Sequence, residues 1–133
     1  MTQTPKDMLT AYVRAFETMR AAEVVPFYDL PCTFLRADGI WVVQDGATAL
    51  VLVEHLIDHA KGRGYCRTEV SGLTVRTLAE SLVELGGVFV RHDTSGSEVG
   101  TSGFTYILRG GPDKWKIVVA VAHDASDVTL GKL

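Results

Sequence analysis

The chain has 133 residues, 22% charged and 47% hydrophobic, with a formal net charge of −3. That length fits a single domain spanning 1–133, with enough buried surface for a core that needs no disulfide staples. The composition excludes a disordered chain, a nucleic-acid binder that relies on a lysine and arginine surplus and, with no run of about 18 apolar residues, a membrane-spanning helix.

The first residues, MTQTPKDM, contain no apolar stretch fit for a secretory signal. Thr4 is a good N-cap, Pro5 suits the first helical position and Asp7 completes a capping box. Met8, Leu9, Tyr12, Ala15, Phe16 and Met19 recur at helical spacing on one face. A break is expected near Ala21 and Ala22, then a short helix over Glu23 to Tyr28 that Pro26 disturbs. A strand over Cys32 to Arg36 turns at Ala37-Asp38-Gly39 and returns over Ile40 to Gln44, the Asp-Gly pair being a hairpin signal. Asp45-Gly46 opens a third helix, Ala47 to Lys61, with an apolar stripe of Ala49, Leu50, Val53, Leu56, Ile57 and Ala60; Gly62 and Gly64 stop it.

Strands follow over Tyr65 to Leu78, Ser81 to His92, Val99 to Arg109 and Lys114 to His123. Thr94-Ser95-Gly96 and Gly110-Gly111-Pro112-Asp113 connect them, and Gly86-Gly87 marks a bulge or bend. Thr129 to Leu133 reads as a loose tail. Helices gathered on one face of a meandering antiparallel sheet make an α+β fold. In Ile117-Val118-Val119-Ala120-Val121-Ala122 both faces are apolar, so something must cover the outer one. A second subunit docked on the sheet is favoured over a central position in the sheet alone. Cys32 and Cys66 sit in strand-like apolar surroundings and read as buried, reduced thiols, which suits the cytoplasm.

The order of elements resembles the nuclear transport factor 2-like superfamily, which includes SnoaL-like polyketide cyclases and ketosteroid isomerases. The local cues are Phe27-Tyr28-Asp29 before Cys32-Thr33-Phe34, and the run from Gly111 through Trp115-Lys116 to Ile117. The resemblance covers about residues 5 to 124. It implies a cystatin-like cone in which a curved, mixed or antiparallel sheet of about six strands wraps three helices from the N-terminal half. It also implies a deep, mostly apolar pocket for a small apolar molecule, and a homodimer through the outer sheet face. Members include isomerases, cyclases, dehydratases, epoxide hydrolases and binding modules, so the fold alone does not name a function.

An isomerase of this kind pairs a helix tyrosine with an aspartate base and a second, protonated acid. Tyr12 matches the tyrosine. The base position falls on Arg36, with Asp38 two residues on, where a turn former is the simpler role. The third position falls near Gly103 and Phe104, with no acid. Close identity with the steroid isomerases is therefore rejected. An epoxide-hydrolase cluster would need Arg36, Asp38 and Glu69 all turned inward.

By period-2 alternation, His123 shares a face with Trp115, Ile117, Val119 and Val121. It is a candidate acid or base if that face lines the cone; the alternative is a structural histidine at a strand end. Glu69 is either an inward general acid or, more simply, an outward cross-strand partner of a residue such as Arg91. The stretch Arg91-His92-Asp93 is expected to be exposed. His55 and His59 have metal-ligand spacing but lie opposite the apolar stripe, so they should face solvent.

Two functions remain open. One is a cofactor-free and metal-free proton-transfer enzyme with Tyr12, His123 and Asp38 as catalytic residues. Phe16, Tyr28, Phe34, Arg36, Trp41, Glu69 and Tyr106 would bind its ligand. The other is a dimeric binding or interaction module of the same fold with no chemistry.

Overall fold

Helix α1 begins where its sequence says it should. In the computed structural model, which describes residues 3–111 and 113–123, the Thr4 hydroxyl accepts from the Asp7 N–H at 3.0 Å. The Asp7 carboxylate accepts in turn from the Thr4 N–H at 3.2 Å. This capping box satisfies two donors that a helix start would otherwise leave orphaned. α1 spans Pro5–Glu17 and buries Met8, Leu9, Tyr12 and Val13. Met19, with a φ of 62°, takes the left-handed conformation that ends helices. The break therefore falls over Thr18 to Arg20, ahead of Ala21 and Ala22, and α2 occupies Ala21–Val24. A 3-10 turn, Val25–Phe27, carries Pro26. α3 spans Gly46–Gly62, its N-terminus capped by the Asp45 side chain, which accepts from the Thr48 N–H at 2.8 Å. It buries Ala49, Val53, Ile57 and Ala60 and leaves His55 and His59 exposed. Leu50 of the expected stripe stays exposed.

The strands are β1 (Tyr28–Arg36), β2 (Gly39–Val43), β3 (Arg67–Ala79), β4 (Leu82–His92), β5 (Glu98–Gly111) and β6 (Lys114–His123). They form one curved, unclosed sheet in the order β2-β1-β6-β5-β4-β3. Every pairing is antiparallel except β1 with β6, which is parallel. The fold is thus the α+β arrangement of three helices and a six-stranded mixed sheet. The concave face packs on the helices through Leu85, Phe89, Phe104, Tyr106, Leu108 and Ile117, all buried. Asp124, the tail from Thr129 to Leu133, and Pro112 of the β5–β6 turn lie outside the described residues.

Two of the sheet's register shifts bear on the readings above. In β6, Ile117 pairs with Leu108 and Val119 with Ile107. Two residues advance against one, so Val118 is a bulge that flips the alternation. Trp115, Ile117 and Ala120 are buried toward the core, while Val119, Val121 and His123 turn to the outer face. The two-sided apolar run is thus explained in part by this bulge and by the strand's place between β1 and β5. The second irregularity lies in β3 between Ser71 and Thr74, where Gly72 has a φ of 63°. The bend expected at Gly86-Gly87 therefore belongs to the partner strand. Gly87 serves a close approach instead: a Cβ there would lie 3.0 Å from the Ser71 carbonyl and 3.1 Å from the Phe104 ring.

Both cysteines are free, Cys32 buried and Cys66 exposed, which corrects the expectation of two buried thiols. Burial, and then the neighbouring Asp29 charge, push the Cys32 thiol up to about 12.

Gly110 has a φ of 138°, and a Cβ there would meet the Lys114 carbonyl oxygen at 2.2 Å, whereas a Cβ on Gly111 meets nothing within 4 Å. Gly110→Ala should lower unfolding stability by more than about 1 kcal/mol and Gly111→Ala by less than about 0.5 kcal/mol in urea denaturation.

Candidate functional site

The inside of the sheet's curve is lined by aromatic rings. Tyr12 reaches in from α1, and its hydroxyl hydrogen-bonds the Tyr28 hydroxyl at 2.5 Å. Its ring meets Phe27, Tyr28 and Tyr106 edge-on, with centroids 5.7, 5.8 and 6.0 Å away. Phe89 stacks on Phe104 at 4.1 Å, and Tyr106 packs beside Phe104 at 5.0 Å. Such edge-to-face and offset contacts suit the ring quadrupole. Burial raises the Tyr12, Tyr28 and Tyr106 hydroxyls well above the usual tyrosine range, because an anion there would lose its water.

Toward one end of this face the packing loosens. Phe34 is half-buried and pairs across the hairpin with Trp41, which is 44% exposed. The Trp41 ring lies over Gly39, whose missing Cβ makes room for it. The Phe34 row itself continues into buried Ala120, Tyr106 and Leu85; Ser102 and Arg91, partly exposed, and Ala122, exposed, face the same side at other levels of β5, β4 and β6. Arg91 donates to the Ser102 hydroxyl at 2.8 Å and lies 5.7 Å from the centre of the Phe89 ring. Behind it, the Tyr65 and Thr68 hydroxyls hydrogen-bond at 2.5 Å. The Glu17 carboxylate accepts from the Thr68 N–H at 2.9 Å and from Arg14.

Two surface clefts lie apart from this face. One, about 400 Å³, runs between α2 and α3, lined by Arg20, Ala21, Leu50, Glu54, Ile57 and Lys61 among others. The other, about 490 Å³, is lined by Asp29, Ser81, Arg109, Gly110, Lys114 and Lys116.

The model of the family described as NTF2-like protein (DUF6841) matches residues 5–125. The chain belongs to this family. This NTF2-like chain is similar in fold to several solved structures. A protein of unknown function with a cystatin-like fold from Nostoc punctiforme is 9% identical, with a TM-score of 0.69 over 92% of this chain and 93% of that one. An NTF2-like protein from Novosphingobium aromaticivorans is 14% identical, with a TM-score of 0.67 over 87% and 76%. An NTF-2-like protein of unknown function from Shewanella oneidensis is 12% identical, with a TM-score of 0.66 over 91% and 100%. At these identities the likeness speaks for the fold alone. No curated protein matches the chain.

The NTF2-like fold brings some of the anticipated residues together and separates others. Tyr12, Tyr28 and Tyr106 form one buried cluster, with Phe34 against Tyr28 at 5.2 Å and Trp41 beyond it. Phe16 packs on Tyr65 at 5.7 Å, one helical turn from Tyr12. His123 does not join them. The Val118 bulge turns it to the outer face, where its Nε2 lies 3.3 Å from the Thr105 hydroxyl. Asp38 sits at the tip of the hairpin, its side chain 78% exposed and 3.8 Å from Arg36, itself exposed. It has the turn position expected of an Asp before Gly. Glu69 faces outward and pairs with His92 at 3.3 Å, not with Arg91. Among the described residues, no three histidines, cysteines or acids stand close enough to hold a metal ion.

Arg91 too stands elsewhere than the sequence reading places it. The alternation Val83, Leu85, Gly87, Phe89, Arg91 puts it on the concave face, and that pattern was available in the strand itself. Its neighbours His92 and Asp93 drew it into an exposed hairpin end instead.

Because folding raises the tyrosine values, the stability these groups contribute is fully present below the unfolded-chain value of about 10 and is lost as pH rises through the folded values. Tyrosinate absorbance at 295 nm should therefore be nearly absent at pH 10.5 and appear together with loss of the far-UV circular dichroism signal at higher pH. Reversible ionisation of most tyrosines near pH 10 in the folded protein would contradict the buried cluster.

Proposed function

We propose that this NTF2-like chain is a dimeric binding module that holds a small, largely apolar molecule at the loosened end of its concave face. The observation that carries this reading is the exposed Trp41 ring and its half-buried partner Phe34 beside a buried aromatic wall. Flat apolar ligands gain most from rings they can stack on while a few polar groups orient them. Proton transfer is the less favoured function. The neighbours that act on the Tyr12 hydroxyl are Tyr28, Tyr106 and Arg91, none of which is a base near neutral pH. The histidine and aspartate assigned to that work stand elsewhere.

The neutral fluorophore N-phenyl-1-naphthylamine tests the binding reading. Its emission should rise saturably with the native protein, and Phe34→Ala should weaken binding about tenfold, which corresponds to about 1.4 kcal/mol. Absence of saturable binding, or equal binding by Phe34→Ala, would remove this site.

The dimer rests on the outer face. Val88, Val90, Ile107, Val119 and Val121 are only half-covered there, and Ile40 and Val42 extend the patch with 66% and 54% exposure. Contiguous apolar surface of this kind marks interfaces. Sedimentation should give twice the chain mass of 14.4 kDa. Val121→Lys should give the monomer mass with unchanged secondary structure, whereas a native monomer at 100 μM would count against the interface. Reduced cysteines and a homodimer suit a cytoplasmic protein.

A further inference from the structure

The concave face carries two arginines whose charge the described residues leave unanswered. Arg91 is half-buried and takes part in no ion pair among the described residues. Its register partner on β5 is Gly100. Directly opposed residues of an antiparallel pair share a face, with Cβ positions about 5 Å apart. A Cβ at Gly100 would lie 3.3 to 3.5 Å from the guanidinium atoms of Arg63, the residue that caps the C-terminus of α3. Arg63 therefore fills the room that a side chain at position 100 would take, directly across from Arg91. It too has no ion pair among the described residues.

None of the nearby acids pairs with Arg63 or Arg91. Glu17 accepts from Arg14 and from the Thr68 N–H. One oxygen of Asp93 accepts from the backbone N–H groups of Ser95 and Ser97 and from the Ser95 hydroxyl. Glu69 is on the opposite face with His92. Elsewhere in the chain most arginines have an acid within reach: Arg14, Arg20, Arg36, Arg76 and Arg109 each pair with one. Arg63, exposed, and Arg91, half-buried, both border position 100 of β5, so an anion bound there is attracted by both. The planar guanidinium matches an oxyanion with two parallel N–H donors, and the Ser102 hydroxyl stands beside it.

We propose that Arg63 and Arg91, with Ser102, form an oxyanion site on the concave face. It takes the carboxylate or phosphate of a ligand whose apolar body lies against the Phe89 ring beside Arg91. This assignment rests on the binding reading above and narrows its ligand to an anionic, ring-bearing molecule. The absence of a Cβ at Gly100 is part of the site, because it lets Arg63 approach Arg91.

The test compares phenylacetate and phenyl phosphate with neutral phenylacetamide, following arginine side-chain N–H resonances by NMR titration. At least one anion should bind about tenfold or more tightly than the amide and shift the Arg91 and Arg63 signals. Arg91→Gln and Arg63→Gln should each bring that anion to within about twofold of the amide. Arg67→Gln, on the outer face, should change neither. Carboxylate preference over phosphate, or the reverse, tells which oxyanion the pair favours. Equal affinity of the native protein for anions and amide would overturn the oxyanion site. So would an equal loss in Arg67→Gln, which would mean diffuse charge attraction. If N-phenyl-1-naphthylamine binds at Phe34 in that case, the apolar reading survives without the anion; if it also fails to bind, both readings fall.

Discussion

The wedge of Tyr12 between helix and sheet is the contact on which the rest of the arrangement depends. A six-stranded sheet can curve around a helix only if something large fills the inside of the curve. Here one side chain from α1 touches rings from the 3-10 turn, β1 and β5 and ends in a hydrogen bond to Tyr28. The hydroxyls satisfy one another where water is excluded, so the core keeps polar atoms without leaving them orphaned. The same filling removes the deep apolar chamber that the family resemblance implied. On this face the side chains are left partly exposed at Phe34 and Trp41 and, at a distance from them, at Arg91.

Much of the architecture was legible in the residues because it rests on local chemistry. Thr4 and Asp45 read as caps, Asp38-Gly39 as a hairpin tip, and the α3 stripe as a buried face; each depends on neighbours a few residues away. What was not legible came from pairing at a distance. No glycine or proline marks Val118, and only its register with β5 reveals that two residues advance against one. That single bulge moved His123 from the inferred site to the outer surface. Arg91 shows the opposite case: its strand alternates cleanly, and the error came from treating three polar neighbours as one exposed cluster. The parallel contact of β1 with β6 likewise has no local signature.

The ion pairs show how this chain distributes its charge. Arg76 with Glu84, Arg109 with Asp29, and Arg36 with Asp38 sit at solvent-exposed positions, where such pairs add little to stability. On the concave face the balance differs, since Glu17 holds a backbone N–H and thereby joins the end of α1 to the start of β3. The acidic groups there are spent on structure, and the cations are not. A fold that hosts many activities can change its ligand by altering such an edge while its aromatic packing stays the same.

The sheet order also dictates the sequence of events in synthesis. β1 and β2 emerge early, yet β1 finds its second neighbour only in β6, the last described strand to be made. Until β6 is available, the growing chain holds two separate pieces: a hairpin with helices and a three-stranded meander. Each presents an unpaired edge to its surroundings. Contacts between distant segments close slowly, and apolar β6 must enter between two partners already formed. The chain is therefore more exposed to association with other chains before β6 is in place, and insertion of β6 covers the inner edges of β1 and β5 while β2 and β3 remain the edges of the sheet.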